Sequence, residues 1–306
     1  MSKNKKMVII VGSILLVLIT GIVLFAYKHR KVLNKCYDGF NISEELDCII
    51  KNHNSHHDKG DKIPILTFHR IMSDDIKEKQ FPDNQWAQAV SVFEEQMEYL
   101  YENGYKTLSM DEFYCWYKEK CKYDKKSVVL TFDDGDISIY YLVLPILKKY
   151  NFKATSFIIG INTDNALDEE FDENKRQYIT NKIIKKSLEE YPNLEYQSHS
   201  YNYHDYSNQN RIYNSTKSDI QEDFDKMKKF NFDYIAYPYG FYTNDLLRVT
   251  KKNNYKLGFT FRNYKYATRN CLQYEVPRIK VNGYSDVNFI KKVVEGNFVK
   301  SDIIIK

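Results

Sequence analysis

The feature that most constrains this chain is a repeated alternation of short β-prone runs with helix-periodic stretches from residue 63 onward. Ile63–Phe68, Tyr105–Leu108, Val128–Phe132, Ala154–Ile159, Leu194–Ser198, Tyr234–Tyr237 and Leu257–Thr260 read as strands. Helical spacing is expected over Trp86–Asn103, Tyr140–Tyr150, Lys175–Glu189, Asp219–Lys229, Asp245–Asn253 and Asp286–Glu295. Gly104 stops the first of these, and Ser109-Met110-Asp111-Glu112 offers a capping box for a helix through Tyr117. Such alternation favours a parallel sheet covered by helices. In parallel α/β folds the chemistry gathers where strands end. His69, Asp133, Asp134, His199 and Pro238 each directly follow or closely trail a β-type run.

The N-terminus carries a different signal. Residues 7–27 are an uncharged apolar run, about the length a helix needs to span a bilayer. Phe25-Ala26-Tyr27 is a poor cleavage site, so an uncleaved signal anchor is expected. Lysines and arginines flank both ends, so charge does not settle orientation. The expected layout is a cytoplasmic tail at 1–6, an anchor at 7–27, a polar juxtamembrane stalk at 28–62 and an extracellular domain at 63–306. The cell membrane is thus an expected partner. The net charge of +4 comes without an arginine-rich run, which gives no argument for nucleic acid. Oligomeric state is not legible.

Of five cysteines, Cys36 with Cys48 and Cys115 with Cys121 are spaced for local bridges outside the membrane. All five could equally be reduced thiols. His53, His56 and His57 in the stalk read as solvated linker residues.

Thr131-Phe132-Asp133-Asp134-Gly135 puts two carboxylates at a strand end, pointing in different directions. One could hold a cation while the other faces a bound water, or both could serve a helix cap. His199 and His204 lie five residues apart just after another strand. Imidazoles suit zinc and similar ions, and one aspartate with two histidines would leave positions open for water and substrate. Seven histidines exist, and only His69, His199 and His204 sit at predicted strand ends.

Thr131–Gly135, His199-Ser200 with His204, and Ala236-Tyr237-Pro238-Tyr239-Gly240, in that order, resemble the signature of the polysaccharide deacetylase family, carbohydrate esterase family four. The resemblance spans roughly residues 63–281. It implies a distorted (β/α) barrel and a divalent-metal N-deacetylase of an N-acetylated polysaccharide. By that match Asp133 is the base, and Asp134, His199 and His204 hold the metal. Zinc is the first choice, with cobalt, nickel or manganese as alternatives. The Tyr239 amide would be the oxyanion donor, with Tyr237, Pro238 and Tyr239 contacting substrate.

The family's C-terminal Leu-x-His element is absent, since no histidine follows His204. His69, in Leu66-Thr67-Phe68-His69-Arg70, is similar to the histidine of a permuted subgroup that includes poly-N-acetylglucosamine deacetylases. It is the expected general acid. Arg278, in Glu275-Val276-Pro277-Arg278-Ile279, could orient the base or pair with a surface glutamate. The implied substrate is an exopolysaccharide, with peptidoglycan or a non-catalytic glycan-binding role as alternatives. The 27 tyrosines and 18 phenylalanines fit a sugar-stacking cleft, and fit coding bias or ordinary core filling as well.

Overall fold

A computed structural model describes residues 62–299 and 302, other than Tyr206 and residues 262–264. The expected anchor, nearly all of the stalk and the Cys36–Cys48 pair lie outside the described residues. Among the described residues no helix is long and apolar enough to cross a membrane.

The strands, in chain order, are β1 Lys62–Ile63, β2 Ile65–Phe68, β3 Arg70–Met72, β4 Ala87–Ala89, β5 Lys106–Thr107, β6 Ser127–Phe132 and β7 Ala154–Ile158. There follow β8 Leu194–Ser198, β9 Tyr234–Ala236, β10 Leu257–Thr260, β11 Ala267–Thr268, β12 Val276–Pro277 and β13 Ile279–Lys280. Eight of them form a parallel path in the order β12-β10-β9-β8-β7-β6-β2-β13, with β5 added beside β6. The two ends of that path, β12 and β13, are consecutive in the chain and separated by Arg278 alone. One extended segment therefore borders both edges of the sheet, and the sheet curls into a nearly closed barrel.

Alternation along the strands sorts side chains into two apolar layers. Ile65, Val129, Phe157 and Phe259 pack with Met110, Phe113 and Trp116 of the helix Met110–Tyr117. That helix seals the end where strands begin. Its first turn meets the starts of β8 and β9 through Met110 N to Glu195 (2.7 Å) and Tyr234 Oη to Asp111 (2.6 Å). The expected Ser109–Glu112 capping box fixes its N-terminus. Leu66, Leu130, Phe132 and Ile158 face outward, in one cluster with Phe93, Met97 and Leu100 from the helix Val90–Glu102 and Leu144 and Leu147 from Leu144–Tyr150. β6 is buried on both faces, as a central parallel strand should be.

Several element boundaries move for tertiary reasons. The helix expected from Trp86 begins at Val90, because residues 87–89 pair in parallel with β3. The segment between β3 and β4, for which no element is expected from sequence, contains the helix Asp74–Gln80. The helix expected from Lys175 begins at Asn181, where the Thr180 hydroxyl accepts from Ile183 N–H. Residues 177–179 instead run against the turn after β6. Cys115 and Cys121 form a disulfide just past the barrel-sealing helix, and Cys271 is a free thiol.

Candidate active site

The end of the barrel where strands finish carries the polar residues. His69 follows β2, Asp133 and Asp134 follow β6, His199 follows β8, and the turn Pro238–Gly240 follows β9. Adjacent strands β2 and β6 are tied at this end by Asp133 N–H donating to Phe68 O at 3.0 Å.

Asp134 sits at φ 73°, a left-handed value that costs a non-glycine residue of order 1 kcal/mol or more. The turn this makes aims its carboxylate away from that of Asp133. Gly135 follows, also left-handed, and a Cβ there would come within 3.1 Å of Ile158. Asp134 Oδ1 lies 3.5 Å from Nε2 of His199 and 3.1 Å from Nε2 of His204. His199 Nδ1 is 2.8 Å from the carbonyl of Ala236. A proton on Nδ1 satisfies that carbonyl and leaves the Nε2 lone pair facing Asp134, a common way to fix a ligating tautomer. The His204 ring lies against Tyr239, with centroids 4.4 Å apart.

One donor atom from each of Asp134, His199 and His204 falls within 4.8 Å of the others. Zinc–ligand bonds of about 2.1 Å in tetrahedral array place neighbouring donors roughly 3.4 Å apart. The 3.1 and 3.5 Å separations match that spacing, and a carboxylate with two imidazoles is a common donor set for such ions. The residues present therefore fit a divalent metal.

Asp133 is buried and accepts two hydrogen bonds from Arg278, Nη1 to Oδ1 and Nη2 to Oδ2, both at 2.7 Å. Burial pushes its carboxyl up, but the Arg278 charge outweighs this and holds it below the usual range. Asp134 is likewise held well below its ordinary value, burial being outweighed by the two histidines.

His69 forms part of the cleft wall with two aromatic neighbours, Trp86 at 4.6 Å and Phe261 at 5.9 Å between ring centroids. Burial pushes its imidazole down to about 4, against the opposing pull of Asp134 and Asp133. At neutral pH the resting ring is neutral. The general-acid role expected from sequence would require the ring to gain a proton once substrate is bound.

One of the residues expected to touch substrate does not face the cleft. Tyr237 is fully buried on the outer side of the barrel, among Ile235, Leu246 and Val249. Its ring fills the space over Gly258, where an added Cβ would lie 2.1 Å from the tyrosine oxygen. Strand alternation explains the correction: Tyr234 and Ala236 point inward, so Ile235 and Tyr237 point out. Pro238 is also buried. Tyr239 is partly exposed and left-handed at φ 57°, so its turn reverses beside His204.

Residues not foreseen also contribute. Arg176 donates to Asp134 Oδ2 at 2.9 Å. Lys280 lies 3.5 Å above the Trp86 ring and donates to Gln85 at 2.7 Å. Arg176 sits in a polar loop with no local signal. The acidic run continuing to Asp136 was the only hint of a charge partner nearby.

The sequence pattern of the polysaccharide deacetylase family matches residues 120–258. A poly-beta-1,6-N-acetyl-D-glucosamine N-deacetylase of Staphylococcus aureus (strain MSSA476) is 35% identical over 214 residues, covering 66% of this chain and 70% of that protein. Among solved structures, the Streptococcus pyogenes deacetylase PplD in complex with acetate superimposes with a TM-score of 0.63 at 27% identity. That match covers 76% of this chain and 98% of PplD. IcaB from Ammonifex degensii shares the fold, with a TM-score of 0.59 at 22% identity over 77% of this chain and 97% of IcaB. Fold, strand-end site and relatives agree, and the chain belongs to the polysaccharide deacetylase family, carbohydrate esterase family four, whose members hydrolyse the amide bonds of N-acetylated polysaccharides.

Proposed function

We propose that this chain is a metal-dependent N-deacetylase of a poly-N-acetylglucosamine exopolysaccharide, held at the cell membrane by residues 7–27 with its barrel outside. The observation that carries the reading is the convergence of Asp134, His199 and His204 beside a base carboxylate locked by Arg278. The relative's name directs the choice of polymer. The apolar run at 7–27 supports the anchor.

A divalent ion held by Asp134, His199 and His204 would polarise the acetamide oxygen and acidify a water. Asp133, ionised and oriented by Arg278, takes a proton from the water as its oxygen bonds to the acetyl carbon. The Tyr239 amide, in its left-handed turn, donates to the oxygen that gains charge. Developing charge in the cleft favours protonation of His69, which hands its proton to the departing nitrogen as the carbon–nitrogen bond breaks. His69 draws that proton from solvent, Asp133 returns to solvent the proton it took from the water, and acetate and a free amine leave. Trp86 and Phe261, beside His69, supply apolar faces against which a sugar ring can lie.

The test is acetate release by the full chain from defined β-1,6-linked N-acetylglucosamine oligomers and, in parallel, from peptidoglycan fragments. Release from the oligomers, lost with a chelator and regained with zinc, cobalt, nickel or manganese, is expected. Preference for peptidoglycan would overturn the choice of polymer. Absence of release from both, with bound metal, would overturn catalysis. Location is read separately by protease accessibility of the barrel on intact cells.

A further inference from the structure

The two carboxylate oxygens of Asp134 face different partners. Oδ1 faces the Nε2 atoms of His199 and His204, whereas Oδ2 accepts from Arg176 Nη2 at 2.9 Å. Arg176 Nε in turn lies 3.3 Å from Asp136 Oδ2. Arg70 Nε approaches the same oxygen at 3.5 Å.

The backbone carrying Arg176 is tied to the turn carrying Asp134. Ile137 N–H donates to Gln177 O at 3.1 Å, Ile179 N–H donates to Gly135 O at 2.9 Å, and Asp136 bridges Tyr178 in antiparallel fashion. Arg70 grips the same segment, its Nη2 donating to Glu173 O at 2.7 Å and Lys175 O at 2.6 Å. The guanidinium of Arg176 is thus delivered by a braced loop.

A carboxylate can give a cation one oxygen or both. A hydrogen bond on Oδ2 settles which oxygen faces the histidines and keeps the carboxylate from rotating. We infer that Arg176 is a positioning residue for the metal, locking Asp134 as a one-oxygen ligand turned toward His199 and His204. This rests on the metal-dependent reading above.

Two effects of Arg176 on metal affinity have opposite signs. Its positive charge repels a cation, while its grip orients a ligand. The repulsion is small, because Asp136 and Asp134 flank the guanidinium and its side chain is one-third exposed to solvent. Losing a partner that orients a ligand typically costs about 10–100-fold in affinity. Orientation therefore wins.

The experiment titrates the full chain, purified metal-free in detergent, with zinc against a competing chromophoric chelator. Arg176→Met should weaken zinc binding by about 10–100-fold. Arg176→Lys, which keeps the charge but not the two-point grip, should fall between the two. The metal-free Met variant should unfold in one cooperative transition, at a thermal midpoint below wild type because the buried Asp134 and Asp136 lose a counter-charge. Zinc affinity in Arg176→Met equal to or tighter than wild type would overturn the inference while leaving the metal reading intact. A wild-type chain that binds no zinc would overturn the metal reading itself. If Arg176→Met does not fold, Arg176→Lys carries the test, and wild-type affinity in it overturns the inference.

Discussion

Arg278 and Asp133, 145 residues apart in sequence, meet in a two-bond pair with both distances at 2.7 Å. Arg278 is the single residue between β12 and β13, where the barrel's two edges come together. The same residue that spans the barrel seam orients the carboxylate proposed as the base. Closing the barrel and arming the site are thus one structural event.

Removing that arginine leaves a buried carboxylate without its counter-charge. Arg278→Met should destabilise the chain by about 3–5 kcal/mol, the usual cost of breaking a buried pair from one side. Urea unfolding measures this. The acid limb of the kcat/KM profile should also move to higher pH, since Asp133 loses the charge that holds its carboxyl down. An unmoved limb would detach Asp133 from the role of base.

Asp133→Asn keeps the shape of the site but removes the proton acceptor. Acetate release should fall by about 10²–10⁴-fold, the range typical of a positioned base. Zinc affinity, measured by the same chelator competition, should change only a few-fold, because the proposed metal donors are Asp134, His199 and His204.

His69 gives a pH signature of its own. Its imidazole is pushed from 6.5 to about 4 by burial. Between those values the unfolded chain binds more protons than the folded chain, so stability falls as the pH drops from 6.5 toward 4. In metal-free protein His69→Gln should remove part of that slope, about 2 kcal/mol after allowance for partial exposure. Denaturant midpoints across this window test it, and identical slopes in the two proteins would refute it.

Tyr237 is enclosed outside the barrel, and its hydroxyl donates a long hydrogen bond, 3.5 Å, to Thr250 Oγ1. Tyr237→Phe should therefore leave KM within about twofold and cost no more than about 1 kcal/mol, the scale of one ordinary hydrogen bond. Steady-state kinetics on the oligomer substrate would reveal a large KM rise, the result expected if the hydroxyl touched sugar.

What the sequence determined by itself was local. β-prone runs such as Val128–Phe132 and the cap at Ser109–Glu112 follow from propensity and short-range hydrogen bonding, and the structure has them at or near the expected residues. The polar residues trailing those runs were legible too, because a parallel barrel exposes its strand ends. Tertiary structure decided the rest. Pairing with β3 turned residues 87–89 into a strand, and register decided that Tyr237 faces out while Asp133 faces in. The Arg278–Asp133 and Arg176–Asp134 pairs join residues 145 and 42 positions apart. Such contacts depend on how the sheet closes and how a distant loop is braced, and no local pattern of residues encodes either.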